Sequence, residues 1–293
     1  MTHILLAVDG SEAALHACRL VAGYAGDKAA LRVTLLNVQR PPLRLSLQPT
    51  ITEDVLEQGL RERGESELGP AMTLLQVAGL APQPFVRIGP PADTVIAFAR
   101  EIGADLLVMG NGRHGPLGGY AIGSVALRVA PAAHCPVVLV RPGARLPAEL
   151  GKALRVTAPV DGSPEALRAV QHLVSGAHFF GKLHVDLVHF HPGLSLAAAI
   201  LPPHDDVLQE WSGREADAAL ASSLQALAAA GIPHEVHRLT GPADEGIAAF
   251  AARTGAGMIA MGTRGTGAMH HLLMGSVALK TALASDVPVA LMR

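Results

Sequence analysis

The chain carries one sequence pattern twice, at the fixed spacing that separates Asp9 from Asp161. The tripeptide Asp-Gly-Ser at 9–11 returns at 161–163, and Gly-Ser-Val-Ala-Leu at 123–127 returns at 275–279. A unit of about 150 residues has the size of an ordinary globular domain and is far longer than the repeat of a solenoid or propeller. The pattern therefore predicts two tandem domains of one fold, at 1–143 and 152–293.

Composition limits the partners that such a pair of domains can have. Of the 293 residues, 49% are apolar and 16% are charged, and the net charge is −2. No basic stretch suits nucleic acid or an anionic membrane, and no apolar run reaches the roughly 18 residues of a membrane span. Cys18 and Cys135 lie in apolar segments, as reduced thiols do; a disulfide between them is the less favoured alternative. We expect a cytoplasmic protein with no nucleic-acid or membrane partner.

Strand and helix patterns alternate along each half. Continuous apolar runs predict strands covered on both faces, and apolar residues at helical spacing predict helices between them. The predicted strands are 4–8, 31–38, 84–88, 105–109 and 136–140 in the first half, and 156–160, 183–190, 235–240, 258–261 and 287–292 in the second. The predicted helices include 53–77, 92–102, 124–130 and 206–230. This alternation predicts an α/β fold of two tandem doubly wound domains, each a five-stranded parallel sheet in the order 3-2-1-4-5 with helices on both faces.

The repeated residues fall where a sheet of this order binds ligands. Ligands of doubly wound sheets lie beyond the carboxyl ends of the strands where the winding reverses, here between the first and fourth strands. Asp9 and Asp161 end the first strands, and glycine-rich loops that begin at Gly110 and Gly262 end the fourth. The residues kept in both halves therefore converge on the predicted ligand site.

The loop of the second half has the spacing Gly262-x2-Gly265-x9-Gly275-Ser276. Glycines let the backbone adopt positive φ and approach a bound group closely, and successive N–H groups at the start of a helix favour a phosphate. The spacing matches neither a Walker A loop nor the dinucleotide loop Gly-x-Gly-x-x-Gly. On the glycines alone, a tight turn between strand and helix explains the pattern as well.

Together these features resemble the universal stress protein family in its tandem two-domain form. The resemblance covers nearly the whole chain and rests on the segments 4–11 (ILLAVDGS), 104–110 (ADLLVMG) and 135–140 (CPVVLV), and on the Gly-x2-Gly-x9-Gly-Ser loop. In that family the loop marks the subgroup that binds ATP: the loop holds the phosphates, and the Asp after the first strand holds the adenosine. The resemblance implies a stress-response regulatory protein with ATP as its cofactor, alone or with Mg²⁺.

Carried over residue by residue, the resemblance implies a complete site in the second half. The adenosine would contact Pro159, Asp161 and Phe190. The phosphates would contact Gly262, Thr263, Arg264, Gly265, Thr266, Gly267, Gly275, Ser276 and Val277.

The first half departs from this pattern in the middle of its loop. Arg113 stands where the second half has Gly265, and Gly112 lies one place before it. Arg113 either blocks the approach of a ligand to the backbone or supplies a cation to a phosphate, and it would be strained if its φ were positive. Alternatively, the loop shifts to use Gly112 and Gly115. Nucleotide binding is therefore open in this half, where the candidates are Ala7, Asp9, Val38, Gly110, Arg113, Gly123, Ser124 and Val125.

The remaining polar residues predict no catalytic centre. Ser11 and Ser163 are placed as helix N-caps, and no Ser-His-Asp arrangement can be argued from the spacing. His189 and His191 point the same way on a predicted strand, but no matching cysteine or acidic cluster accompanies them, so we expect no dedicated metal site. No base is evident that would position an attacking water. Any ATPase activity is therefore expected to be slow.

The fifth strands, 136–140 and 288–292, are apolar and would form sheet edges, which invite pairing. In the resembling family this strand forms the dimer contact. The resemblance therefore implies that the two halves pair within one chain, and a further homodimer is a second option.

Three functions remain open from the sequence. The first is an ATP-binding regulator whose nucleotide modulates its conformation or its binding to a protein partner. The second is a nucleotide-free interaction or scaffold module, and the third is a slow adenine-nucleotide hydrolase.

Overall fold

The computed structural model describes residues 1–24, 27–42, 53–114, 120–147, 153–191, 205–265 and 274–293. The chain divides into two compact units, Met1–Ala144 and Arg145–Arg293. Most of the two predicted loops at 41–52 and 191–206, and part of the predicted linker at 142–152, lie outside the described residues.

Strands and helices alternate through the first unit. Its strands are β1 (Thr2–Ala7), β2 (Leu31–Gln39), β3 (Gln83–Ile88), β4 (Leu106–Gly110), β5 (Arg113–His114), β6 (Tyr120–Ala121) and β7 (Val137–Val140). Its helices are α1 (Glu12–Tyr24), α2 (Glu53–Val77), α3 (Pro91–Glu101) and α4 (Ser124–Ala132). Five strands are parallel and lie in the order β3-β2-β1-β4-β7. The short strands β5 and β6 form an antiparallel pair between β4 and α4.

The second unit repeats this order. Its strands are β8 (Leu154–Pro159), β9 (Leu183–His191), β10 (His234–Thr240), β11 (Met258–Gly262) and β12 (Val289–Met292). Its helices are α5 (Pro164–Ser175), α6 (Ala177–Phe180), α7 (Asp205–Ala229), α8 (Ala243–Thr254) and α9 (Ser276–Ala284). The strands are parallel and lie in the order β10-β9-β8-β11-β12. The predicted α/β fold and the order 3-2-1-4-5 are therefore confirmed in both units.

Helices cover both faces of each set of strands, which explains the continuous apolar runs. Ile4, Leu5 and Leu6 follow one another on β1, and each is 0% exposed although neighbouring side chains point to opposite faces. In the first unit α1 packs with α2 and α3 with α4; in the second, α5 packs with α7 and α8 with α9. None of the helices in the described ranges is long and apolar enough to cross a membrane.

The repeated Asp-Gly-Ser builds the turn from the first strand into the first helix. In the second unit, Asp161 Oδ1 accepts hydrogen bonds from the backbone N–H of Ser163 at 3.0 Å and from its hydroxyl at 2.5 Å. Ser163 Oγ in turn accepts from the backbone N–H of Ala166 and caps α5. Gly162 has a φ of 79°, which favours glycine. The same backbone-to-carboxylate bond and serine cap recur at 9–14.

Both cysteines are free thiols in the structure. Burial raises the pKa of Cys18 to about 12 and the pKa of Cys135 to about 11. Because both values lie far above neutral pH, neither residue supplies a reactive thiolate. The prediction of reduced thiols is confirmed, and no redox chemistry is assigned to them.

Candidate functional site

The second unit contains a cavity of about 320 Å³ at the carboxyl ends of β8, β9 and β11. This volume lies in the range of small-molecule sites, and the position is the point where the winding reverses. Most of the residues predicted for this half line it. They are Pro159, Asp161, Phe190, Gly262, Arg264, Gly265, Gly275, Ser276 and Val277.

Gly265 brings the loop backbone against the carboxylate of Asp161. A Cβ placed on Gly265 would overlap Asp161 Oδ2 and lie 3.5 Å from its carboxyl carbon. Gly265 is not among the glycines with positive φ, so close approach, and not an unusual backbone angle, is what requires glycine here. The structure therefore brings together the two predicted halves of the site, the loop and the aspartate.

Gly262 serves packing as well as the cavity. A Cβ on Gly262 would lie 2.9 Å from Cβ of Glu165 and 3.0 Å from its carbonyl carbon, in the first turn of α5. Gly110 occupies the same place in the first unit, where a Cβ would lie 2.7 Å from backbone atoms of Ala13 and Ala14. These two glycines are required where the fourth strand meets the first helix, whether or not a ligand binds.

Thr263 does not line the cavity. Its side chain is 1% exposed, and its backbone N–H donates to the carbonyl of Met292 at 2.8 Å. Its own carbonyl accepts from the N–H of Gly275 at 2.9 Å. Thr263 thus fixes the start of α9 beside the end of β11. Two further residues predicted for the phosphates, Thr266 and Gly267, lie outside the described residues.

The start of α9 presents backbone donors to the cavity. Gly275 is the N-cap and makes no side-chain cap, and Ser276, the first residue of the helix, is exposed. The first N–H groups of a helix have no partner within it and carry a partial positive charge. This end of the cavity can therefore hold an anionic group, and Arg264 is also among the residues that line the cavity.

The other end of the cavity is apolar and was only partly predicted. Val188, Ala243, Ile247 and Met261 line it in addition to Phe190. Their signal in the sequence was weak, because apolar residues at strand ends and helix starts are indistinguishable from core residues. An apolar wall with an aromatic ring suits the flat face of a base.

The first unit has a larger cavity, about 520 Å³, in the equivalent place. Nearly all the residues predicted for this half line it. They are Ala7, Asp9, Val38, Gly110, Gly123, Ser124 and Val125.

Arg113, the remaining predicted residue of the first half, is described by its backbone alone. Its backbone forms β5 and pairs with Ala121 of β6. Gly112, one place earlier, has a φ of 109°, and no non-glycine residue in the described ranges has positive φ. The backbone strain considered for Arg113 is therefore absent, and Gly112 adopts the glycine conformation of this loop. Gly115 lies outside the described residues.

The polar wall of the first cavity was not predicted. Gln39 from β2 and Arg63 and Glu67 from α2 line it. Glu67 Oε2 accepts from Nδ2 of Asn37 and from Nε2 of Gln39, both at 2.9 Å. Glu67 Oε1 accepts from Nε of Arg63 at 3.0 Å. The sequence offered one indication of this polar wall: the amides of Asn37 and Gln39 at the end of an otherwise apolar strand.

An acidic and histidine cluster lies on β9 and β10 of the second unit, beyond the residues that line the cavity. Ligand atoms of His184, Asp186 and Glu235 lie within 4.8 Å of one another. The guanidinium of Arg155 already bonds both acids: it reaches Asp186 at 2.6 and 2.8 Å and Glu235 at 3.0 Å. Because a cation of the protein neutralises the acids, the cluster is an ion-pair network and carries no metal assignment.

A family model described as the universal stress protein family matches the chain twice, over residues 1–141 and 153–293. The chain belongs to the universal stress protein family. The two matches cover both halves, so the protein is of the tandem two-domain form, and family membership supports a general role in stress response.

Universal stress proteins from several organisms match one half or the whole of the chain. One from Mycolicibacterium smegmatis is 28% identical over 305 aligned positions, which cover 99% of this chain and 96% of that protein. One from Thermus aquaticus is 35% identical over 139 residues, 47% of this chain and 97% of that protein. The crystal structure of a universal stress protein from Archaeoglobus fulgidus has a TM-score of 0.67 at 21% identity, covers 99% of this chain and 98% of that one, and shows the shared fold.

Proposed function

We propose that the second unit of this universal stress protein binds ATP, and that the bound nucleotide alters the protein's conformation or its binding to a protein partner. The observation that carries the proposal is the convergence of Asp161, Gly265 and the start of α9 on one cavity at the winding reversal. An isolated glycine loop would not distinguish a ligand site from a tight turn. The carboxylate held against the glycine loop, inside a cavity, favours the ligand site.

The two ends of the cavity suit the two ends of a nucleotide. The adenine would lie on the apolar wall, beside Phe190 and Ile247, with Asp161 at the ribose or base edge. The phosphates would lie at Gly275 and Ser276, where the N–H groups of α9 begin. A Mg²⁺ ion would be carried by the phosphates, since Mg²⁺ usually binds through substrate phosphates and waters more than through a protein cage.

The cavity wall favours binding over rapid hydrolysis. Among the described residues that line the second cavity, Asp161 is the one carboxylate. Its Oδ1 already accepts two hydrogen bonds from Ser163, and its Oδ2 lies against the backbone of Gly265. A general base must reach the attacking water. Asp161 is held for binding, and we expect turnover to be slow.

Replacing Gly265 tests the proposal directly. Gly265→Arg, which introduces the residue found at position 113 of the first half, would place a side chain into the carboxylate of Asp161. We expect it to weaken ATP binding by about 100-fold or more, because the loop must move off its position. Isothermal titration calorimetry with Mg-ATP measures the change. The matched control is Gly59→Arg at an exposed position of α2, where nothing lies within 4 Å of an added Cβ.

Two results would count against the proposal. One is an ATP affinity that Gly265→Arg leaves unchanged. The other is the absence of both a heat of binding and a thermal shift when Mg-ATP is added to the wild-type protein. That result would favour the nucleotide-free scaffold function. Three expectations stay predictions: pairing of the two halves through the fifth strands, homodimerisation, and a cytoplasmic location. Light scattering of the purified protein tests homodimerisation.

A further inference from the structure

We infer that the cavity of the first unit is a separate site for a sugar phosphate, and that Glu67 sets this selectivity against the adenine nucleotide proposed for the second unit. The inference rests on the proposed function only for the identity of the second ligand. Three differences between equivalent walls of the two cavities support it. They are a difference in side-chain size, a carboxylate in the first cavity, and the buried amide side chains that bond this carboxylate.

The side chains differ in size at two equivalent positions, one at the end of the second strand and one in the helix that follows the third strand. In the second unit, Phe190 packs over Gly246: a Cβ on Gly246 would overlap the ring and lie 2.7 Å from Cζ. In the first unit the equivalent residues are Val38 and Thr94. Val38 is the smaller of the two equivalent residues at the strand end, and the first cavity measures about 520 Å³ against about 320 Å³ for the second. Among the described residues that line the first cavity there is no aromatic ring on which a base would stack.

The first cavity offers a hydrogen-bond acceptor, the carboxylate of Glu67, where the second cavity offers an aromatic ring. Its side chain is 24% exposed and lines the cavity. Asn37, 1% exposed, and Gln39, 7% exposed, both donate to Oε2. These two bonds hold the carboxylate in place, and Oε1 accepts one bond from Arg63 and has capacity to accept a second. A charged acceptor is therefore pre-positioned at the end of the cavity away from α4.

The second unit lacks the Glu67 carboxylate, and the residues equivalent to Gln39 and Arg63 are His191 and Glu215, which lie 3.7 Å apart with the Glu215 side chain 70% exposed. Ala219 stands in place of Glu67, and His189 stands in place of Asn37. His189 bonds the carbonyl of Val160 at 2.9 Å, as Asn37 bonds the carbonyl of Val8, so the link to the first strand is kept. What the first unit adds is the carboxylate and the second amide that holds it.

The added groups fit hydroxyl groups better than a base. Glu67 and Asp9 can accept hydrogen bonds, and Arg40 and Arg63 can donate them, and all four line the first cavity. A sugar hydroxyl donates and accepts at once, so it satisfies both kinds of group. A flat base would lose its stacking surface and would bury the carboxylate against apolar ring atoms, which is costly. The start of α4, equivalent to that of α9, would take the phosphate.

The test uses ribose 5-phosphate as the probe, with ribose and Mg-ATP as comparison ligands, in calorimetry on the full chain. Glu67→Ala and Glu67→Gln remove the charge, and the second keeps the size of the side chain. The matched control is Glu65→Ala, an exposed carboxylate of α2 that does not line the cavity. A combined variant, Val38→Phe with Thr94→Gly and Glu67→Ala, gives the first cavity the residues of the second.

We expect the wild-type protein to bind ribose 5-phosphate, and ribose less tightly. Both Glu67 variants should weaken that binding by about tenfold or more, the loss typical for a hydrogen bond to a charged group, while Glu65→Ala stays within about twofold. Gly265→Arg should leave it unchanged. The combined variant should lose ribose 5-phosphate and bind one more ATP per chain than the wild type.

Three results would overturn the inference. They are no binding of ribose 5-phosphate by the wild type, binding that is insensitive to both Glu67 variants, and two equivalent ATP sites in the wild type. Its failure is distinguishable from failure of the proposed function, because ATP binding in the second unit is followed through Gly265→Arg and sugar-phosphate binding through Glu67.

Discussion

At the scale of single residues, one contact between the first two strands differs in charge between the units. It is a neutral hydrogen bond in the first unit and an ion pair in the second. In the first unit His3 Nε2 bonds the hydroxyl of Thr34 at 2.9 Å, between β1 and β2. In the second unit the equivalent residues are Arg155 and Asp186, a bidentate ion pair with Asp186 0% exposed. A buried ion pair costs desolvation, and removing one partner is far worse than replacing both.

This pair predicts a difference in stability. Arg155→Met leaves the Asp186 carboxylate buried with His237 at 3.1 Å as its main remaining partner. We expect a loss of roughly 2 kcal/mol or more in the free energy of unfolding, below the usual cost for a fully buried pair because the Arg155 side chain is 34% exposed. The double variant Arg155→His with Asp186→Thr, which installs the first-unit pair, should recover most of the loss. Urea unfolding measures both.

The same pair predicts a pH dependence. Burial raises the pKa of Asp186, but hydrogen bonds from Arg155 and His237 and their charges outweigh it, so the pKa lies below its ordinary value of 3.8. A carboxyl with a depressed pKa stabilises the folded state above its unfolded pKa, and that stability is lost as the pH falls through the folded pKa. Between pH 5 and pH 3 the wild type should therefore lose more stability than the double variant. Equal losses would contradict this role.

The glycines show what a sequence pattern leaves undecided at this scale. The spacing predicted Gly262, Gly265 and Gly275 as one ligand loop, and all three line the cavity. The spacing did not separate Gly262, which makes room for α5, from Gly265, which makes room for Asp161. Both needs select the same residue, and only the atoms nearby distinguish them.

At the scale of elements, the helix and strand pattern was sufficient for the order and nearly all the bounds. The helix 53–77 has the predicted ends, and most strands differ by one or two residues from the prediction. The short α6 and the β5–β6 pair were not predicted, because four- and two-residue elements carry too few positions to show a period. The polar wall of the first cavity was missed because α2 and β2 reach it from distant parts of the sequence.

The contact between β9 and α8 gives a prediction at the same scale. Gly246→Thr, the residue of the first unit, would drive a side chain into the ring of Phe190, and we expect it to cost about 1–3 kcal/mol. Phe190→Val should relieve much of that cost, so the two changes together should be less than additive by about 1 kcal/mol or more. Gly213→Thr on α7, where nothing lies within 4 Å of an added Cβ, is the control. Simple additivity in thermal unfolding would show that the ring does not depend on Gly246.

At the scale of the whole molecule, two units share one architecture while their cavities differ. The sheet order, the Asp-Gly-Ser turn and the Gly-Ser start of the fourth long helix are common to both. The walls at the ends of the second strands are different: apolar and aromatic in the second unit, polar and charged in the first. A tandem protein of this kind can hold two different ligands in one chain, and occupancy of one cavity need not imply occupancy of the other.

The decisive measurement is the nucleotide that the purified protein releases on denaturation, identified by mass spectrometry and counted per chain after saturation with Mg-ATP and removal of the excess. We predict one adenine nucleotide per chain for the wild type and none for Gly265→Arg. Two per chain would contradict the distinction between the cavities, and none from the wild type would contradict nucleotide binding itself.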